Sequence, residues 1–259
     1  MQANLISISI PESIWTRRMQ AGLGMPEPLL KWAGKQKLLP KILERLPDLF
    51  HQYYEPFVGG LSIFFALYRN ELVEQATLGD SNLDLMDTYR IVRTYPDLVM
   101  EVLKSWRHSR KRFNALCKVR RVGKWSPEDA ARLIYLNHTC FHGLYQVNLH
   151  GEFVVPFGEY KKPEIYDKEN IMAAAVALRN VTLYTGSFTG CLRGVGPGDF
   201  VYCNPPCGID DKKSAELLDG LNSGRVKWML STSDTEWVRK RYKKYNIESV
   251  LGEVIVTNY

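Results

Sequence analysis

The segment NPPC (204–207) carries residue types that suit the binding of an exocyclic amino group. It follows the apolar run FVYC (200–203), which has the composition of a buried strand. Proline has no backbone N–H and stiffens the chain, so carbonyl oxygens and the Asn204 side-chain oxygen can converge on one donor. Enzymes that grip a base amino group in this way place an aromatic ring at the fourth position, where this chain has Cys207. The segment therefore indicates an amino-group site without a stacking ring.

A nucleotide-binding unit is predicted near residue 60. A short strand is expected over 52–57, Gly59 and Gly60 follow it, and apolar residues at helical spacing predict a helix over 61–71. The next strand-like run ends at Asp80. A strand, a glycine turn, a helix and a strand ending in an acid about 20 residues later are typical of nucleotide-binding α/β units.

The remaining pattern places an α/β core around a basic insertion. YQVNLHGEFVVPF (145–157) predicts a β-hairpin with Gly151 in its turn. Three parts follow: a loosely organised extension (1–28), a core (29–84 and 166–259) and an insertion (85–165). Further helices are predicted over 37–46, 126–137, 167–178, 214–221 and 235–245, and further strands over 76–79, 181–184, 200–203, 227–231 and 253–257.

The composition is that of a globular protein, 45% hydrophobic and 24% charged. No apolar run approaches the roughly 20 residues of a membrane span, and the N-terminus lacks the marks of a signal peptide. We therefore expect a cytoplasmic protein with reduced thiols and no metal site, since the cysteines lack CxxC spacing and the histidines suit packing or the surface. These residues are Cys117, Cys140, Cys191, Cys203 and Cys207, and His138, His142 and His150.

Positive charge is concentrated in one segment. The chain carries a net charge of +6, and between Arg90 and Lys124 eleven lysines and arginines meet only two acids, Asp97 and Glu101, a local charge of +9. Such a block suits contact with phosphates. A solvated helical face is the alternative interpretation.

Taken together, several segments resemble the Dam-like class of DNA adenine-N6 methyltransferases. The resemblance implies an α/β fold: a Rossmann-like, S-adenosylmethionine-dependent methyltransferase core with an inserted helical and β-hairpin subdomain that recognises double-stranded DNA. It also implies a bacterial, archaeal or phage-encoded monomer, with or without a cognate restriction endonuclease. The matching segments are 29–40, 53–67, 79–85, 135–163 and 200–207, with 231–237 and 253–259 as closing strands.

The resemblance also implies a role for individual residues. Asn204 and the Pro205 carbonyl would hold the amino group of a flipped adenine in line with the methyl donor. Asp80 would accept hydrogen bonds from ribose hydroxyls, and Phe188 would lie near the cofactor adenine. The implied sets are Asn204, Pro205, Pro206 and Cys207 for catalysis; Trp32, Gly34, Lys35, Phe57, Gly59, Gly60, Asp80 and Phe188 for the cofactor; and Asn137, His138, Tyr145, Gln146, Asn148, Lys161 and Lys162 for DNA.

The chain departs from the family pattern at functional positions. Lys35 and Gln36 alter the KWAGGK motif, and Leu61 stands where bare backbone is expected beside the cofactor. Gln146 replaces an arginine, which would change a guanine reader into one suited to adenine. Cys207 removes base stacking worth roughly 1–3 kcal/mol.

Three interpretations stay open at this point. The first is an active site-specific DNA adenine-N6 methyltransferase. The second is a catalytically weak or inactive homologue that acts as a DNA-binding protein. The third is that Cys207 or a neighbour is not the natural residue.

Overall fold

The computed structural model describes residues 24–32, 36–120, 123–206 and 211–259, apart from the side chains of Gln36 and Asp211. Gly34, Lys35, Cys207 and most of the extension 1–28 lie outside the described residues. The helices are α1 (Leu39–Leu43), α2 (Ser62–Arg69), α3 (Leu83–Thr94), α4 (Pro96–Ser105), α5 (Arg110–Cys117), α6 (Pro127–Thr139), α7 (Lys168–Ala177), α8 (Phe188–Cys191), α9 (Asp211–Ser223) and α10 (Glu236–Arg241), with 3-10 turns at Gln36–Leu38 and Phe141–Gly143.

Seven strands form one twisted sheet in the order β3-β2-β1-β4-β5-β7-β6. They are β1 (Tyr53–Glu55), β2 (Ala76–Asp80), β3 (Val181–Thr185), β4 (Phe200–Cys203), β5 (Lys227–Ser233), β6 (Asn246–Val250) and β7 (Glu253–Thr257). β1 to β5 run parallel, whereas β7 is antiparallel to both β5 and β6.

The strand order creates a crevice between β1 and β4. From β1 the chain moves outward to β2 and β3, then returns to place β4 on the other side of β1. The connections therefore diverge at the carboxyl ends of these two strands, where open α/β sheets bind ligands. All residues of the central strands β1 and β4 are buried, and apart from Glu55 their side chains are aromatic or apolar, as is usual for a sheet covered on both faces. The predicted Rossmann-like α/β core is confirmed.

Helix α3 belongs to the core, although the sequence placed the insertion from residue 85. It packs on β2, β3 and α7. Arg90 and Arg93 fasten it to the sheet, since their guanidinium groups donate to the carbonyl oxygens of Leu183 (2.9 Å) and Val181 (3.1 Å). The chain leaves the sheet only after α3. Helix α4 then packs against α3, α6 and α7, and α6 packs against α3.

Sequence signals predicted the boundaries of some helices and strands correctly and missed others. The predicted start of α6 is confirmed as a capping box, in which Ser126 Oγ accepts from the Asp129 N–H (3.3 Å) and the Asp129 carboxylate accepts from the Ser126 N–H (2.9 Å). The helix predicted over 235–245 is wrong in extent, because it ends at Arg241 and is followed by β6. β6 is an edge strand with mostly exposed side chains, so its apolar pattern is weak.

The predicted hairpin is present as a tight ribbon, which we call the hairpin (residues 140–158). Antiparallel bridges pair Val147 with Phe153 and Cys140 with Phe157. Asn148 builds its turn, because its Oδ1 accepts from the N–H groups of His150 (2.9 Å) and Glu152 (3.0 Å). None of the described helices is both long and apolar enough to cross a membrane.

Candidate active site

A cleft of about 700 Å³ opens at the carboxyl ends of β1, β2 and β4. It lies at the crevice that the strand order predicts. Its lining residues are Trp32, Glu55, Phe57, Val58, Gly59, Gly60, Ser62, Ile63, Asp80, Ser81, Asn82, Tyr145, Tyr202, Asn204, Pro205, Pro206 and Glu253. Among the residues that the structure describes, the predicted cofactor and catalytic residues therefore meet in one cleft, except Phe188, which contacts the cleft residue Phe57.

Gly59 and Gly60 line the floor of the cleft, and both lie against the Trp32 side chain. A Cβ at Gly59 would lie 2.8 Å from Cδ1 of Trp32, and a Cβ at Gly60 would lie 3.1 Å from its Cβ. Gly59 also has a φ of +47°, which an L side chain adopts with strain. The glycine pair thus brings the indole against the loop after β1.

Asp80 is positioned at the end of β2 by backbone donors. Its carboxylate accepts from the N–H groups of Asn82 (2.9 Å) and Gly59 (3.3 Å). Burial raises the pKa of Asp80, while these N–H groups oppose the rise. A carboxylate anchored from behind and open to the cleft suits acceptance of hydroxyl hydrogen bonds from a ligand.

Glu55 is a cleft residue that the sequence analysis did not single out. It is 2% exposed, and its carboxylate accepts from the Tyr53 hydroxyl (2.8 Å). Burial raises the pKa of Glu55 to about 8, although Tyr53 and the Phe64 N–H stabilise the anion. The available signal was an acid inside an apolar strand directly before a glycine turn, which is where a buried charge needs a functional reason.

Asn204, Pro205 and Pro206 form one wall of the cleft and follow β4 directly. β4 holds this wall firmly, since Tyr202 is buried and its hydroxyl shares a hydrogen bond of 2.7 Å with Ser231 on β5. The Asn204 side chain is half-buried in the cleft. Asn204, Pro205 and Pro206 therefore line the cleft at the end of a buried strand.

Phe57 and Phe188 form a pair beside the cleft, with ring centroids 5.4 Å apart. Phe57 lines the cleft, whereas Phe188 packs on it from α8. Phe188 therefore supports the aromatic wall.

Leu61 does not intrude on the cleft, contrary to the expectation from its position after Gly60. It is 0% exposed and packs in the main hydrophobic core. Its backbone adopts the left-handed region (φ 62°, ψ 22°) at the start of α2. A left-handed leucine costs about 1–2 kcal/mol, and burying its side chain contributes about 1.5–3 kcal/mol. The substitution therefore strains the backbone without blocking the cleft.

Three residues predicted to contact DNA are instead engaged inside the protein. Asn137 is 1% exposed and uses both ends of its amide for backbone groups. Both ring nitrogens of His138 face carbonyl oxygens, those of Leu29 (2.8 Å) and Glu164, and burial lowers the pKa of this imidazole. Tyr145 lines the cleft, where its ring stacks on Trp32 at 5.2 Å. A side chain whose polar atoms are occupied in this way has none left to reach a base edge.

The remaining predicted DNA contacts lie on the surface or shape it. Gln146, Lys161 and Lys162 are exposed. Asn148 is half-buried and holds the hairpin turn, so its amide is used internally. Around them the hairpin exposes apolar side chains, including Leu149, which is 104% exposed at the tip.

The basic segment 90–124 is divided between two tasks. Arg90 and Arg93 face the core sheet. Two further arginines form ion pairs at the hairpin. Arg120 pairs with Glu152 of the hairpin (2.8 Å), and Arg110 pairs with Glu159, which follows it directly. The exposed remainder of the segment includes Lys104, Arg107, Lys111, Lys118 and Lys124.

An open sheet of this order, an acid at the end of β2 and a cleft at the crevice define a Rossmann-like α/β fold with a ligand-binding cleft. Residues 32–253 match the family model of the D12 class N6 adenine-specific DNA methyltransferases. The chain belongs to this family, which confirms the resemblance to the Dam-like class.

Several relatives cover nearly the same length. The chain is 33% identical to the type II methyltransferase M.MjaIII of Methanocaldococcus jannaschii, over 89% of this chain and 92% of the relative. It is 31% identical to the type II methyltransferase M1.LlaDCHI of Lactococcus lactis subsp. cremoris, over 90% and 95%. It is also 31% identical to a DNA adenine methylase of Serratia marcescens, over 83% and 86%.

Proposed function

We propose that this protein transfers a methyl group from S-adenosylmethionine to N6 of an adenine flipped out of double-stranded DNA. The observation that carries the proposal is the meeting of Asp80, Trp32 and Asn204 in one cleft. S-adenosylmethionine, when bound, supplies an electrophilic methyl group. The residues fit it: Asp80 offers an anchored carboxylate for ribose hydroxyls, and Trp32 and Phe57 supply aromatic walls.

The chain's contribution to the reaction is orientation of the amino group. The Asn204 side-chain oxygen and the Pro205 carbonyl accept its two N–H bonds, which draws the nitrogen lone pair out of conjugation with the ring. Because β4 fixes these acceptors and the sheet fixes Asp80, the nitrogen is held in reacting geometry without further reorganisation. Flipping the adenine from the duplex brings it to this wall.

DNA approaches from the side of the hairpin in this proposal. Gln146, Lys161 and Lys162 are exposed there, and the lysines suit phosphates, whereas a glutamine can bind adenine in the major groove. The geometry of Leu61 favours an active enzyme over the binding-only homologue, because the altered glycine loop leaves the cleft open. Cys207 in place of an aromatic residue is the observation that favours the binding-only function.

The test is methyl transfer by the purified chain. DNA from a host without N6-methyladenine is incubated with the protein and tritiated S-adenosylmethionine, and digested DNA is analysed by mass spectrometry. We expect N6-methyladenine, and single-molecule sequencing of the same DNA then gives the recognition sequence. Cofactor and DNA binding without any N6-methyladenine would overturn the proposal in favour of the binding-only homologue.

A cognate restriction endonuclease is a separate proposal, motivated by the relatives that are type II methyltransferases. DNA methylated by this chain should then resist one endonuclease from the same genome. Equal cleavage of methylated and unmethylated DNA by that endonuclease would contradict it.

A further inference from the structure

We propose that the insertion sets the cofactor affinity of this protein, through a clamp on residues 29–32. The clamp consists of Asn137, Gly143 and Tyr145, which all contact this segment or its indole. The inference rests on the proposed use of S-adenosylmethionine. It assigns these three residues a positioning role between the cleft and the DNA-binding part of the chain.

Asn137 ties two backbone segments together at the end of α6. Its Oδ1 accepts from the Lys31 N–H at 2.6 Å, across 106 residues of sequence, and its Nδ2 donates to the Gly143 carbonyl at 2.7 Å. The Asn137 side chain is 1% exposed, so losing either bond leaves one of its polar atoms desolvated and without its partner. The amide therefore fixes the residue before Trp32 against the turn that opens the hairpin.

Gly143 lets these two backbones touch. It has a φ of +66°, and a Cβ there would lie 2.4 Å from the Lys31 Cβ and 2.6 Å from the Lys31 carbonyl oxygen. Any side chain at 143 would displace Lys31, and with it Trp32. The Lys31 side chain makes a further contact, since its Nζ lies 5.0 Å from the centroid of the Tyr160 ring.

Tyr145 completes the clamp by forming an outer layer of the cleft wall. Its ring stacks on Trp32 with an interplanar angle of 27°, and its hydroxyl donates to Asp84 Oδ2 on α3 (2.7 Å). The indole is thus held between the glycine floor at Gly59 and a tyrosine of the hairpin. Movement at the base of the hairpin changes the position of Trp32.

In this arrangement, cofactor binding and DNA binding both act on the position of Trp32 relative to the hairpin. DNA bound to the hairpin stabilises the clamped position of Trp32, and a cofactor against Trp32 stabilises the hairpin base. Such coupling is reciprocal, so each ligand raises the affinity for the other by the same factor.

The first test compares two glycines of the hairpin. Gly143→Ala and Gly151→Ala both place alanine at positive φ, but a Cβ at Gly151 meets nothing within 4 Å. The dissociation constant of S-adenosylhomocysteine is measured by titration calorimetry without DNA. We expect G143A to weaken binding about tenfold or more and G151A to stay within about twofold, in line with the loss of buried backbone contacts. Equal affinity in the two variants would overturn the clamp.

The second test keeps the proposal falsifiable if G143A does not fold. Asn137→Ala is compared with Ser126→Ala, which removes the capping box at the other end of α6 and lowers stability without touching residues 29–32. N137A should weaken S-adenosylhomocysteine binding about 5- to 100-fold and reduce the near-ultraviolet dichroism of the Trp32–Tyr145 stack, and S126A should do neither. Wild-type affinity in N137A, or an equal loss in S126A, overturns the clamp. A wild-type protein that does not bind S-adenosylhomocysteine overturns the proposed function itself.

Discussion

The cleft and the hairpin differ in how the protein holds their polar side chains. In the cleft, polar side chains are anchored by the protein: Asp80 is held by two backbone N–H groups and Glu55 by a tyrosine hydroxyl. On the hairpin Gln146 is exposed, and Lys162 is exposed a few residues beyond it. Cleft residues are preorganised before any ligand arrives, whereas under the proposed function hairpin residues would acquire their geometry on contact with DNA. Substitutions in the cleft should therefore act on turnover and stability, and those on the hairpin on recognition.

The two regions also absorb departures from the family pattern differently. Leu61 stands where the family pattern has a glycine beside the cleft. Its side chain is buried in the core and is not among the residues that line the cleft. Gln146 replaces an arginine on the hairpin, where no core exists to hide the change. We therefore expect a departure in the scaffold to cost stability, and a departure on the exposed hairpin to change which DNA is bound under the proposed function.

The largest expected effect comes from Asn204→Ala. It removes the side-chain acceptor for the amino group and should lower kcat about 100- to 1,000-fold, as loss of one preorganised hydrogen-bond partner does elsewhere. Tritium transfer from S-adenosylmethionine measures the rate. The dissociation constant of S-adenosylhomocysteine should stay within about threefold, because the proposed mechanism places Asn204 against the adenine and not against the cofactor.

Asn204→Asp is the matched control for that prediction. Aspartate keeps an acceptor oxygen at the same place, so it should retain a rate within about tenfold of wild type. Equal rates in N204A and the wild type would remove Asn204 from the mechanism.

Much of the cleft was predictable because strand ends are readable in the sequence. Asp80 and Asn204 each follow a short apolar run, and parallel strands bring their carboxyl ends to one edge of a sheet. Glu55 was missed because an acid within such a run looks like a break in the pattern. β6 was missed because an exposed edge strand has little apolar alternation.

The burial and the contact partners of the insertion residues were not predictable from the sequence. Asn137 and Tyr145 lie in a segment that resembles a DNA-binding region, but their partners are Lys31 and Trp32, more than one hundred residues away. Burial of a polar side chain depends on such distant packing. Sequence patterns report the local period of a segment and carry no information about which remote backbone closes over it.

The next largest effect is a pH-dependent gain in stability from Glu55→Gln. The pKa of Glu55 is about 8 when folded and near 4.5 when unfolded, so its contribution to stability is present below pH 4.5 and is lost as pH rises through 8. Glutamine does not ionise. Its free energy of unfolding should exceed the wild-type value by a few kcal/mol at pH 9 and by little at pH 5. Urea denaturation at both pH values measures this.

Glu152→Gln is the hairpin counterpart of that experiment. Glu152 is outside the core, and hydrogen bonds from Asn148 and Arg120 lower its pKa. The difference between E152Q and the wild type should therefore stay constant from pH 7 to pH 9. A gap for E55Q that is equally flat across this range would show that the cleft carboxyl is not buried as the structure has it.

A smaller effect is expected from Leu61→Gly. Glycine relieves the positive φ, worth about 1–2 kcal/mol, but deletes a buried side chain, at a cost of about 2–5 kcal/mol. The variant should lose about 1–3 kcal/mol of unfolding free energy while its affinity for S-adenosylhomocysteine stays unchanged. Tighter binding in L61G would show that the leucine does obstruct the cleft, and would restore the expectation drawn from its sequence position.

The smallest expected effect separates the hairpin from the cleft most cleanly. Lys162→Ala removes one exposed positive charge near the hairpin. If Lys162 contacts a phosphate, the slope of log Kd for duplex DNA against log salt concentration should fall by about one, because one fewer counterion is released. Thermal stability and S-adenosylhomocysteine affinity should not change, since the side chain packs in neither region. An unchanged salt slope would place Lys162 off the DNA path and leave Lys161 and the exposed basic residues of segment 90–124 as the phosphate contacts to test.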